Sequence, residues 1–106
     1  MEDIWLARFK REALPRITAE VRPQRVLVFG SRATGTAVPD SDIDVIIVAD
    51  SFRNIPFFRR MAHILGIARF PKHVDYLCYT PEEFARIRNE SSVVSDALVS
   101  CAELTV

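Results

Sequence analysis

The chain is expected to fold as an α/β (α+β) domain, a small mixed β-sheet with flanking helices. Three observations predict this. Two short apolar runs, Val26–Phe29 and Val45–Val48, and a third segment, His73–Tyr79, have the length and the composition of strands. Segments of helical period lie before, between and after them, in the order α-β-β-α-β-α-α. The chain has 106 residues, 49% of them hydrophobic and 26% charged. That is enough for one core and too little for two, so residues 1–106 are expected to be a single domain.

Residues 3–14 read as a helix with Ile4, Trp5, Leu6, Phe9 and Ala13 as its apolar stripe. Pro15 should kink or restart it, and Ile17 and Val21 continue the pattern to Arg22-Pro23. Arg25–Phe29 reads as a strand buried on both faces, because its apolar run does not alternate. The stretch from Ser31 to Asp40 is a loop with room for one helical turn after Ser31, and Gly35 is a candidate for positive φ. Asp42–Val48 is the second strand. Pro56–Arg69 is expected to be an amphipathic helix with Phe57, Met61, Ile64, Leu65 and Ala68 on one stripe and Arg59 and Arg60 off it. Gly66 weakens its last turn. His73–Tyr79 is the third strand. Thr80-Pro81-Glu82-Glu83 is a capping box with proline at the first helical position. Ser92 is expected to cap a final helix in which Val94, Ala97, Leu98 and Cys101 share a face.

Composition removes several function classes. Lys plus Arg equals Asp plus Glu, so bulk charge offers nothing for direct nucleic-acid binding. No apolar run approaches the roughly 18 residues of a membrane span. The acidic start Met1-Glu2-Asp3-Ile4-Trp5 lacks the basic region of a signal peptide, so a cytoplasmic location is expected. Cys78 and Cys101 make neither a disulfide framework nor a zinc site, and read as buried thiols in a strand and a helix.

The residues that carry chemistry are Gly30-Ser31-Arg32-Ala33-Thr34-Gly35 and Ser41-Asp42-Ile43-Asp44. Side chains at i and i+2 of a strand share a face, so Asp42 and Asp44 stand side by side. Two like charges so placed are unfavourable unless a cation or a proton lies between them. A glycine-serine turn ending a strand offers backbone N–H groups and a hydroxyl to phosphate. Together they suggest a site for a metal-bound nucleoside triphosphate. Two rival readings fail on counting. An EF-hand loop beginning at Asp40 would need Gly where Val45 stands and Glu where Ser51 stands. A P-loop built on Gly30 and Gly35 would need Lys-[Ser/Thr] where Thr36-Ala37 stands.

In these residues the sequence resembles the nucleotidyltransferase superfamily typified by DNA polymerase β. The shared pattern is an apolar strand (Val26–Phe29), Gly30-Ser31, a spacer, then Asp42-x-Asp44 opening a second apolar strand. The forms Gly-Ser-Arg-Ala-x-Gly and Ser-Asp-Ile-Asp look most like the minimal nucleotidyltransferases of that superfamily. There a third carboxylate comes from a later strand, and His73-Val74-Asp75-Tyr76-Leu77 fits it; the likeness spans about Arg25 to Phe84. The resemblance implies a polymerase β-like catalytic core with two Mg²⁺ ions and ATP as substrate. In such a two-metal site the ions lie about 3.5–4 Å apart. By the same resemblance Asp42 and Asp44 hold the ion that carries the triphosphate. Asp75 helps hold the second and is a candidate base for the acceptor hydroxyl.

Ser31 would donate its hydroxyl to the β- or γ-phosphate, Gly30 would permit close backbone approach, and Ser41 is grouped with them as nucleotide-binding. Arg32 could pair with phosphate or with a partner protein, or be a solvated loop residue. The bland alternatives are a solvated strand entry for Asp42 and Asp44, an exposed edge for Asp75 and an ordinary turn serine for Ser31. His63 and His73 are read as non-catalytic. Arg53, Arg59, Arg60, Arg69 and Lys72 are read as a solvated face rather than a binding patch.

Larger members of the superfamily add a helical domain for base and acceptor. The expectation here is that a partner, or a second copy in a homo-oligomer, completes the pocket. Trp5, Phe9, Val94, Leu98 and Cys101 are the candidate contact residues. The minimal group is often paired with a helical HEPN toxin, a ribonuclease, and some members transfer AMP to a tyrosine of it. The Arg-to-His spacing of the HEPN ribonuclease does not occur in this chain, so the toxin would be a separate protein. The resemblance therefore implies an antitoxin that adenylylates its partner. The rivals are an antitoxin that masks the toxin by binding alone, and nucleotidyl transfer to a small molecule such as an aminoglycoside.

Overall fold

The computed structural model describes residues 3–105, so Met1 and Glu2 of the acidic start lie outside the described residues. Helix α1 spans Ile4–Glu12 and is capped by Asp3, whose side chain accepts from the Leu6 amide. Helix α2, Leu14–Val21, restarts the chain with Pro15 in its first turn, where the missing N–H has no partner to lose. Strand β1, Arg25–Phe29, is followed by the single turn α3, Ser31–Thr34, which ends at Gly35 in the left-handed region. Strand β2 is Ile43–Val48, and a 3₁₀ segment, Asp50–Asn54, leads to helix α4, Phe57–Ile67. Strand β3 is Val74–Tyr79. Helix α5, Pro81–Glu90, starts at the expected capping box, with Thr80 and Glu83 bonding each other's backbone amides. Helix α6, Ser92–Val99, and strand β4, Ala102–Leu104, complete the chain.

The sheet order is β3-β2-β1-β4. Strand β1 pairs antiparallel with β2 and β4, while β2 and β3 are parallel, so the sheet is mixed as expected. The period of two along each strand divides the core between two faces. Val26, Val28, Val45, Ile47, Tyr76 and Cys78 join Phe9, Ile17 and Ile64 of the helices in the larger cluster. Leu27, Ile46, Val48 and Tyr79 meet Phe84 of α5 in the smaller one. Among the described residues no helix is long and apolar enough to cross a membrane.

Several expectations are corrected. The last helix is capped by Ser91, not Ser92, and it stops before Cys101, which leads into β4. Three residues are too few for a periodic signal, and β4 exists because β1 has a free edge to pair with. Ile4 points outward and is 77% exposed. The buried residues of α4 are Arg60 and Ile64, with Ala68 buried just past its end, whereas Phe57, Met61 and Leu65 are exposed. Arg60 goes inside because its charge is met: Nε donates to the Ile55 carbonyl, Nη1 to the Cys78 carbonyl, and the guanidinium pairs with Glu83. The basic set is therefore not one solvated face. Arg53 pairs with Asp50 and Glu82, and the Lys72 ammonium donates to the Pro39 carbonyl. Phe9 and Val94 are buried and Trp5, Leu98 and Cys101 are half-buried against the core, so they are not the exposed apolar surface. That surface is on α4, where Phe57, Phe58, Met61 and Leu65 face solvent.

Candidate active site

Parallel pairing makes β2 and β3 begin at the same end of the sheet, and antiparallel pairing makes β1 finish there. In register, Ile43 lies opposite Val74 and Asp44 opposite Asp75, while Phe29 lies opposite Asp44 on the other side. The turn after β1 and the first residues of β2 and β3 are thus brought together by hydrogen-bond register alone. Asp44 and Asp75 fall on the sheet face of the smaller cluster, in phase with Ile46 and Tyr79. Tyr79 and Phe84 pack at the opposite end of the strands, with ring centroids 6.4 Å apart, so the carboxylate end stays accessible.

Gly30 has φ 73° and ψ −156°. A Cβ placed on it would lie 2.5 Å from Asp44 Oδ2, far inside van der Waals contact. Only glycine lets the turn pass behind this carboxylate. The close approach expected of Gly30 is therefore made to Asp44. Ser31 follows as the first residue of α3.

Like charges directly across a strand pair destabilise a sheet. Partial burial pushes the Asp44 carboxyl up from its ordinary value, and the charges of Asp75 and Asp42 push it further, with His73 opposing. His73 Nε2 lies 2.8 Å from Asp75 Oδ1, and that hydrogen bond, then the Asp75 charge, raises the imidazole above its usual value. Asp42, His73 and Asp75 each bring one donor atom to within 4.8 Å of the others. An octahedral divalent ion with bonds of about 2.1 Å sets its ligands about 3–4 Å apart, so this donor set fits one after small side-chain rotations. Asp44 stands next to that trio, with Oδ2 turned to Gly30.

Asp42, Asp44, Asp75 and Gly30 are thus brought together. Arg32 is not. It is buried, and donates from Nη1 to Asp3 Oδ2 at 2.7 Å and from Nη2 to the carbonyls of Val38, Pro39 and Ser41. The reading of Arg32 as a solvated loop residue is overturned: it is a clamp on the segment that leads into Asp42. Ser41 helps tie the same segment, its Oγ accepting from the Val38 amide at 3.0 Å. His73, read from the sequence as non-catalytic, stands beside Asp75 and Asp42, and His73-x-Asp75 has the same i, i+2 spacing as Asp42-x-Asp44.

The family model for a nucleotidyltransferase domain matches residues 10–101. A crystal structure from Sulfolobus solfataricus, of a protein provisionally named a nucleotidyltransferase, superposes with a TM-score of 0.59 at 28% identity, covering 74% of this chain and 70% of that one. BolA1 from Arabidopsis thaliana superposes with a TM-score of 0.56 at 21% identity, covering 72% of this chain and 94% of that one, a likeness of fold alone. No curated protein matches the chain.

Proposed function

Given that this chain belongs to the nucleotidyltransferase domain family, we propose that it transfers AMP from ATP to a hydroxyl group in a Mg²⁺-dependent reaction. One observation carries this reading: the β2–β3 register that sets Asp44 opposite Asp75, with Asp42 alongside. A folded protein gains nothing in stability from three carboxylates at one sheet end, whereas a cation-dependent reaction needs them.

Asp42, Asp44 and Asp75 would hold the two metal ions. A divalent ion bound there supplies neutralisation of the triphosphate and acidifies the acceptor hydroxyl. The protein residues do the rest. Gly30 keeps the Asp44 carboxylate against the strand end, and Ser31 offers its hydroxyl to the β- or γ-phosphate. Asp75 takes the proton as the acceptor oxygen bonds to the α-phosphorus and pyrophosphate leaves. The Arg32 clamp holds the Asp42 approach in place and keeps the order of the loop before nucleotide arrives.

The acceptor in this reading is a tyrosine on a separate helical HEPN-type toxin, which the chain silences as an antitoxin in the cytoplasm. Two things support it: the sequence resemblance to the minimal nucleotidyltransferases, and the exposed apolar face Phe57, Phe58, Met61 and Leu65 on α4, which suits a helical partner. Calorimetry should give ATP binding with Mg²⁺ and much weaker binding in Asp44→Ala. Equal affinity with and without Mg²⁺ removes the metal site from the reading. Incubated with ATP, Mg²⁺ and the partner, the chain should add the mass of AMP to a partner tyrosine. If nothing is added while Asp44→Ala still neutralises the toxin, masking by the α4 face replaces transfer.

A further inference from the structure

We propose that His73 is a metal ligand of this site, giving one position a nitrogen donor and a preference for a first-row transition ion such as Mn²⁺ over Mg²⁺. The inference rests on the metal-dependent reading above. Asp42 and Asp44 are two residues apart, one just before β2 and one within it, and His73 and Asp75 are placed in the same way at β3. The strands are parallel with Asp44 opposite Asp75, and the Ile43 amide donates to the His73 carbonyl at 3.2 Å, which carries the register one step back. Asp42 and His73 are thereby the next rung of the same ladder. Three donors, the carboxylates of Asp42 and Asp75 and the imidazole of His73, gather at this end of the two strands, with Asp44 opposite Asp75 in the register.

One donor atom from each of Asp42, His73 and Asp75 lies within 4.8 Å of the other two, so small side-chain rotations bring His73 to ion-binding separation. The 2.8 Å between His73 Nε2 and Asp75 Oδ1 is near the separation of adjacent ligands on an octahedral ion. The competing explanation is a surface ion pair. His73 and Asp75 side chains are 57% and 46% exposed, and a pair so open contributes little to stability. Mg²⁺ binds oxygen and gives up its waters reluctantly, whereas first-row transition ions accept imidazole, with affinity rising from Mn²⁺ onward. A nitrogen donor therefore tilts the site away from Mg²⁺.

The test uses Mn²⁺ alone as the probe on the full chain, with His73→Gln as the variant and His63→Gln, on the exposed face of α4, as the control. Pulsed electron paramagnetic resonance of the wild-type Mn²⁺ complex should show coupling to a ¹⁴N nucleus. The coupling should vanish in His73→Gln and persist in His63→Gln. Loss of even an outer partner of a metal site weakens binding about 10–100-fold. Mn²⁺ affinity should therefore fall by at least about tenfold in His73→Gln, while Mg²⁺ affinity changes less. Mn²⁺ bound without ¹⁴N coupling, or with equal affinity in wild type and His73→Gln, overturns the proposal and leaves the carboxylate site standing. No binding of either ion to wild type overturns both.

Discussion

Replacing Gly30 by alanine should damage the protein through two separable terms. The first is backbone. At φ 73° and ψ −156°, Gly30 occupies a region that is essentially reserved for glycine, so a side chain there costs about 1–3 kcal/mol. Alanine also restricts the unfolded chain, which returns about 0.4–1 kcal/mol. The net backbone loss is about 0–2.5 kcal/mol, or a fall in Tm of up to roughly 20 °C for a domain of this size. The second term is contact. The new Cβ would sit 2.5 Å from Asp44 Oδ2, so the carboxylate must swing out of the site. Gly35 supplies the control, because its φ is also positive, at 79°, yet nothing lies within 4 Å of the position of a Cβ. Gly35→Ala should cost only the left-handed term of about 1–2 kcal/mol, less the same unfolded-chain return. The assay is thermal unfolding, with and without Mg²⁺-ATP, of Gly30→Ala, Gly35→Ala, Asp44→Ala and the two double variants. Gly30→Ala and Asp44→Ala should be non-additive by at least about 0.5 kcal/mol, since the contact exists only when both side chains are present. Gly35→Ala and Asp44→Ala should add. Stabilisation by Mg²⁺-ATP should disappear in Gly30→Ala and survive in Gly35→Ala. Additive losses for Gly30 and Asp44, with nucleotide stabilisation intact, would refute the close approach.

Three further outcomes follow from the charges. The Asp44 carboxyl is raised by burial and by its neighbours, so it favours the fold when protonated, and this is lost as pH rises through its folded value. Asp44→Asn should therefore raise the metal-free Tm at neutral pH by roughly 2–4 °C, the equivalent of about 0.5 kcal/mol for a like-charge cross-strand pair, and the gain should shrink in acid. Glu83 is the opposite case: burial raises its carboxyl, but the bonds from Arg60 and the Thr80 amide outweigh this and hold it below its ordinary value. Its contribution is present above the unfolded value of 4.5 and is lost as pH falls through the folded one. Denaturant titration of Glu83→Gln should show a loss of about 1–2 kcal/mol at neutral pH that narrows on acidification; an unchanged gap would place the stabilisation elsewhere. Arg32→Leu should take from Asp3 its ion-pair partner and release the loop carbonyls, costing about 1–3 kcal/mol. Hydrogen exchange should show faster opening of the Ser41 amide, which is now bonded to Val38 at 2.9 Å; unchanged exchange would remove the clamp role.

The sequence by itself determined what is local. Strand β1, the capping box at Thr80, the restart at Pro15 and positive φ at Gly35 each depend on a few neighbouring residues. The motif order also carried the fold class, and with it the Gly30, Asp42, Asp44 and Asp75 set. What only tertiary structure decided involves partners distant in the chain. Strand β4 exists because Val26–Val28 offers a free edge. Arg60 is buried because the carbonyls of Ile55 and Cys78 and the carboxylate of Glu83 wait for it, and no helical period can announce that. The sequence leaves Arg32 open between a phosphate or partner contact and a solvated loop residue, until Asp3 and the loop carbonyls close around it. His73 enters the site because parallel register sets it level with Asp42, across a connection that includes the whole of α4. Local propensity and alternation are written in consecutive residues. Register and charge pairing arise only when the strands meet, and here they decide which side chains surround the three carboxylates.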